Sequence, residues 1–377
     1  MHPTAAPPSL DPFLSQKLRF WSLAAMLCLV YVHAFNLHPR YLAPWTQVEE
    51  AATPGTVLQY LLANGLLRFR IPLLFAISGY LLAGRAGREF HGQLVRRRLR
   101  TLGLPYLLWS GIWLATLWAL EHAAMSRQAI LDAQISPFWP RQLFSQFTPG
   151  ELLTQALLEP VPFQLWFLRS LLVLNLAYPW LQKAVSRWPA VYFSVAGLLW
   201  FLLVPLGEGL LFFGLGIWLT QRAYPVQTPP AWLRPELMAA LWLGVAIAKT
   251  WLAFGHPEFH WPLKLTMLAL HHLGEVSGLL TAWFGLDALV RVAVAQRWFR
   301  WLTGFSFMIY VLHVPTVNYA TEVALRYGRG LPHLYLLTYL LVPLLVIAAS
   351  VAVGAALRRA LPGVYGVLTG GRGLATA

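Results

Sequence analysis

Apolar runs about the length of a bilayer crossing recur along the whole chain, separated by short segments rich in Arg and Lys. A spanning helix needs about 20 apolar residues, and a helix satisfies its own backbone N–H and C=O groups where water is absent. About ten runs are present, near 20–38, 56–84, 102–120, 163–182, 190–206, 209–221, 236–254, 263–289, 302–321 and 333–357. The pattern predicts an all-α, polytopic integral membrane protein of about ten transmembrane helices. Only 11% of the 377 residues are charged, against about 25% in soluble domains, which removes the soluble alternatives.

The 263–289 run is long enough to hold a break, expected near Gly274. Residues 1–16, Pro-rich and lacking a cleavable signal pattern, are expected as a disordered cytosolic arm. Residues 17–360 form one transmembrane domain and 361–377 a cytosolic tail. Most of the cations lie in loops on the side of the N-terminus and most of the acids on the other, so both termini are expected in the cytosol. The formal charge of +14 follows the same rule. It belongs to topology and anionic lipid, and nucleic-acid binding is not expected. The single cysteine, Cys28, excludes an internal disulfide and a thiolate metal cluster.

Against this background the ionisable residues inside the apolar runs stand out, because hydrocarbon cannot solvate a charge. His33 lies near the end of the first run. Arg19 precedes it by about 1,400° of helical rotation, within roughly 40° of whole turns, and about 21 Å of rise, so the two are expected on one face. His33 is a candidate base for a hydroxyl arriving from outside. Arg19 is a candidate clamp for an anionic ligand from the cytosol, or a positive-inside anchor. Arg68, Arg70 and Arg169 stay charged within or beside apolar runs and need partners or a wet cavity. In the run 263–289, His271 and Glu275 are spaced to pair on one helix face, either orienting the imidazole or relaying protons. His313 reads as a packing or cavity-lining residue. The segment RRRLR, which contains Arg97, Arg98 and Arg100, suits phosphate, topology or anionic lipid. No HExxH, GxSxG, P-loop or dinucleotide glycine pattern occurs, so no metal is expected.

FRIPLLFAISGYLLAG followed by RRRLRTLGLPYLLWS resembles the second-to-third span signature of the type-3 membrane acyltransferases. LWFLRSLLVL, LLFFGLGIWL and FSFMIYVLHVPTV resemble later signatures of that family, in the same order. The resemblance implies transfer of an acyl group, often acetyl, from cytosolic acyl-CoA to a hydroxyl of a glycan or similar acceptor across the bacterial inner membrane. It implies that a first-span histidine, here His33, is essential. It also implies that a basic pair before the third span, here Arg97 and Arg98 or Arg97 and Arg100, contacts the CoA phosphates. At the spacing where the family has a first-span cation this chain has Ser22, and Arg19 lies one turn further away. By position, Arg70 or Arg169 would stabilise an oxyanion. The competing reading is a proton-coupled transporter or exporter of a glycan or lipid-linked intermediate.

Overall fold

The computed structural model describes residues 11–85, 91–132, 143–255 and 261–374. Among these, every regular element is helical. The first helix, α1 (Pro12–His33), starts where Asp11 caps the Leu14 N–H at 2.9 Å with Pro12 at the first position, both ordinary helix-start signals. Residues 12–16, expected in the arm, therefore begin α1, with Asp11 as the cap; residues 1–10 lie outside the described residues.

Next comes α2 (Pro54–Tyr60), which continues through a π-turn at Leu61–Gly65 and a 3-10 turn at Leu66–Phe69 into α3 (Arg70–Ala83). A second π-turn, Leu99–Gly103, joins α4 (His91–Arg98) to α5 (Leu104–Glu121). Two short helices follow, α6 (Ala124–Asp132) and α7 (Pro149–Leu157). The expected fourth span is broken into α8 (Trp166–Leu176) and α9 (Tyr178–Arg187). Pro179 explains the break, since it offers no N–H to the preceding turn.

The hairpin α10 (Pro189–Phe201) and α11 (Gly207–Gln221) has 13 and 15 residues. At 1.5 Å per residue these helices are about 20 and 22 Å long, short of a ~30 Å hydrocarbon core. Their connection turns through Leu203 and Leu206, both at positive φ.

A long α12 (Pro235–Gly255) then precedes α13 (Trp261–Leu280). After α13 a π-turn at Thr281–Gly285 leads to a 58° bend before α14 (Asp287–Ala295). The break expected near Gly274 is thus at Leu286. Gly274 stays helical, and a Cβ there would meet Val245 at 3.4 Å; it serves close packing on α12.

The chain ends with α15 (Arg297–Thr303), α16 (Ser306–Tyr327), α17 (Leu334–Ala360) and α18 (Pro362–Thr369). The last of these occupies much of the expected tail and is packed. Trp109 Nε1 donates to Leu368 O at 2.9 Å and Tyr365 Oη to Gly304 O at 3.1 Å.

Among the described residues, five stretches are long and apolar enough to cross a membrane: 12–33, 54–83, 91–121, 235–255 and 334–360. The bent pair α13 and α14 would make a sixth. The other apolar runs are helical but shorter, broken or kinked.

Backbones meet most closely between α3 and α11. A Cβ on Gly79 would lie 2.1 Å from Phe213 O, and one on Gly216 would lie 2.2 Å from Ala76 O. Between helices in lipid, where no hydrophobic effect drives association, such close approach maximises van der Waals contact. Gly79→Val should therefore lower stability by about 3 kcal/mol or more, the upper range for overpacking. Gly197→Ala, where an added Cβ meets nothing within 4 Å, should be neutral or stabilising by up to about 1 kcal/mol. Unfolding temperatures of the two variants in lipid nanodiscs check the contrast.

Candidate active site

The α2–α3 turns, the last turn of α1, the start of α8, the α10–α11 tip and the middle of α13 enclose a cavity of 740 Å³. His33, Arg68, Arg70, Arg169, Glu208, His271, His272 and Glu275 all line it. Groups singled out in four separate apolar runs therefore share one space.

His33 is the last residue of α1 and half-buried. Its ring stands edge-on to Phe163, with centroids 4.8 Å apart, and lies 5.4 Å from the His313 ring. Arg70 is 4% exposed and donates Nη1 to Leu67 O at 2.7 Å. Arg68 donates Nη2 to Leu42 O at 3.2 Å. The Nε of each is buried without a protein acceptor, leaving donors available to an oxygen-bearing ligand. Arg169 donates to the Leu158 carbonyl. Arg40, in the loop after α1, pairs with Glu322 at 3.5 Å and donates to Asn318 O at 3.2 Å. Burial lowers its pKa from the usual guanidinium value and Glu322 opposes that shift.

A chain of polar contacts backs the cavity. Lys249 on α12 is 1% exposed; its ammonium donates to Asn64 O at 2.8 Å, to Asn64 Oδ1 at 3.2 Å and to His271 Nδ1 at 3.0 Å. An ammonium has only donors. Facing an ammonium, His271 Nδ1 would accept; the other ring nitrogen, Nε2, lies 3.2 Å from Glu275 Oε1. The expected helical pair exists, and Lys249 contacts the other nitrogen of its imidazole. Glu275 Oε2 also meets His272 Nδ1 at 3.2 Å and accepts from Trp200 Nε1 at 3.1 Å. His272 Nε2 lies 3.2 Å from Phe201 O, a carbonyl in the last turn of α10. Such terminal carbonyls lack intrahelical partners and need a donor at membrane depth.

Arg19 is exposed and does not line the cavity. The cation that α1 turns inward is Lys17, 0% exposed, 2.5 Å from Asp287 and 4.6 Å above the Trp283 ring. Lys249 was missed altogether, although a lone lysine in the run AIAKTWLAFG was the available signal.

Arg97 and Arg98 are on α4 and Arg100 on the π-turn after it; Arg97 lies near the far end of α3, whose own rise from Arg70 to Ala83 is about 20 Å. Arg97 and Arg98 are half-buried and Arg100 is exposed. Arg97 shares a small pocket of 140 Å³ with Arg85, His91 and Gln182. Arg88 lies outside the described residues. Among the described residues no group of three or more His, Cys, Asp and Glu is placed to hold a metal ion.

A helical membrane protein that lines an internal cavity with imidazoles, carboxylates and guanidiniums is built for chemistry or transport. Comparison decides between these classes. The family model described as "Acyltransferase domain" matches residues 23–359. The chain is also 30% identical over 371 residues to the succinoglycan biosynthesis protein ExoH of Rhizobium meliloti (strain 1021), an alignment that covers 96% of this chain and 94% of the relative. The chain belongs to the type-3 membrane acyltransferase family. No solved structure matches it.

The contacts predict a sharp contrast between two cations. Lys249→Met strands Asn64 and His271 in the interior and should cost about 3 kcal/mol or more, as removal of one member of a buried ionic set does. Arg19→Met should stay within about 0.5 kcal/mol. Thermal unfolding followed by tryptophan fluorescence reads both.

Proposed function

We propose that this chain is a transmembrane O-acyltransferase. It takes an acyl group, acetyl first among the choices, from cytosolic acyl-CoA and transfers it to a hydroxyl of an extracytoplasmic glycan. It resides in the bacterial cytoplasmic membrane, crossing about ten times with both termini in the cytosol. The α10–α11 hairpin counts as a pair of passes, so its shortness does not change that parity.

The observation that carries this reading is the position of His33. It lines a cavity beside Arg70, at the start of α3, while Arg97 of the RRRLR segment lies near the other end of that helix. Family membership supplies the reaction class. The relative named for succinoglycan biosynthesis supports a glycan acceptor.

In the proposed reaction the CoA phosphates rest on Arg97 and Arg98, with Arg100 at the rim, because guanidinium forks match phosphate oxygens. The half-buried Arg97, beside a pocket of phosphate size, fits that role. His33 removes the proton from the acceptor hydroxyl as its oxygen attacks the thioester carbonyl. The tetrahedral oxyanion is held by Arg70 or Arg169. Collapse breaks the C–S bond, and the proton on His33 passes to the departing thiolate, leaving ester and free CoA. The Lys249–His271–Glu275 chain holds the opposite wall in one protonation pattern. Membrane lipids complete the environment. The transporter alternative would read that chain as a proton path; it predicts flux that follows a pH gradient and no release of CoA.

Acyl transfer from radiolabelled acetyl-CoA by the protein in nanodiscs should fall by about 10³-fold in His33→Ala, the range for loss of an acid–base group. Unchanged transfer would remove His33 from the reaction. In the doubly substituted Arg97→Ala, Arg98→Ala protein, KM for the donor should rise about tenfold with kcat retained, as expected when uniform binding is lost. Mass spectrometry of surface glycans with and without the protein identifies the acyl mass transferred.

A further inference from the structure

Pro315 interrupts α16, and Val314 before it adopts φ −111° and ψ 134°. Proline offers no N–H to the carbonyl four residues back, and the extended ψ swings the Val314 carbonyl out of the helix. Carbonyls freed at membrane depth must find other donors. Val311 O receives Trp113 Nε1 at 3.0 Å, and Val314 O receives Gln164 Nε2 at 3.0 Å. Around the same kink, His313 Nδ1 lies 2.7 Å from Tyr310 O and 3.1 Å from Ile309 O.

Carbonyl oxygens only accept, so Nδ1 carries the His313 proton. In the neutral ring Nε2 is then an acceptor with a free lone pair. It is buried without a partner in a residue that is 0% exposed. A buried acceptor left unsatisfied costs about 1–3 kcal/mol, so its persistence calls for a partner. The His33 ring is a neighbour that can supply one. Its centroid is 5.4 Å away with the two planes inclined by 34°. Each ring nitrogen sits roughly 1.1 Å from its centroid, so nitrogens turned to face each other along the centroid line would lie roughly 3.2 Å apart, within hydrogen-bond range. Rotation of the His33 ring about its broad χ2 well brings an N–H into line.

We propose that His313 is the positioning residue for His33: its Nε2 accepts the His33 ring proton and so turns the other His33 nitrogen, with its lone pair, toward the acceptor hydroxyl in the cavity. The inference rests on the O-acyltransferase reading for its purpose, but the pairing itself is independent of turnover. Gln164 fixes the kink that aims His313, and Tyr310 Oη returns a hydrogen bond to Gln164 O at 2.7 Å. The helix break thus sets the tautomer of one imidazole, which sets the tautomer of the next.

Nitrogen-15 NMR of the full-length chain, labelled at histidine and held in nanodiscs, reads both rings directly, with His33→Ala used for assignment. The expected wild-type result is His313 protonated on Nδ1 alone and His33 locked in one tautomer. His313→Leu should leave His33 averaged between tautomers and lower kcat about 10²-fold, within the range for acid–base alignment, with KM for acetyl-CoA unchanged. His313→Gln, which keeps an acceptor at that place, should restore the single tautomer and most of kcat. A protonated His313 Nε2 or an averaged His33 in the wild-type protein would overturn the proposal without any variant. So would an unaltered His33 tautomer in His313→Leu. Because the spectra need no substrate, locked rings in a chain that transfers nothing would count against the reaction and uphold the pairing.

Discussion

Hydrocarbon offers a polar group no partner, and the interior of this bundle follows from that one fact. Lys249 can be present in α12 only because Asn64 and His271 surround its ammonium. His271 in turn requires Glu275, and Glu275 is shared with His272 and Trp200. This single network ties α10, α12, α13 and the π-turn after α2 together. Buried ionic sets of this kind add little net stability, because desolvation offsets most of the attraction. Their effect is on specificity, since the helices can meet in only one register without stranding a charge.

The same constraint explains why so many helices here are interrupted. A continuous helix satisfies its own backbone and has nothing left to offer a ligand or a side chain. The π-turns at 61–65 and 281–285, the kink at Val314 and the short α10–α11 tip each release backbone groups inside the bundle. Groups at the first π-turn, the α16 kink and the α10 end are taken by Lys249, Trp113, Gln164, His272 and His313. Interrupted helices around a cavity are the tolerated form of irregular backbone at membrane depth. They also hold the imidazoles in defined orientations, which acid–base chemistry needs.

Close packing supplies the rest of the rigidity. Gly79 and Gly216 let α3 and α11 touch backbone to backbone. That contact holds Arg70, at the start of α3, beside Glu208, at the start of α11, at the cavity wall. Guanidiniums that must meet a developing charge are useful only if they do not relax away from it.

Much of this was legible in the chain alone. Helical class and membrane character follow from apolar run length, and the His271–Glu275 pair follows from helical period, because both are local properties. The family resemblance was legible for the same reason: its signatures are short segments in order. What the sequence could not decide is which way each helix faces and where it stops. Lys17 and Arg19 are two residues apart, so they point to different sides. Only the position of Asp287, on a segment bent after Leu286, determines that Lys17 is the one buried. Lys249 and Asn64 become partners only when α12 is laid against the α2–α3 turn. Local period fixes a helix; a charge in a membrane is placed by a partner far away in the chain, and that choice belongs to the tertiary structure.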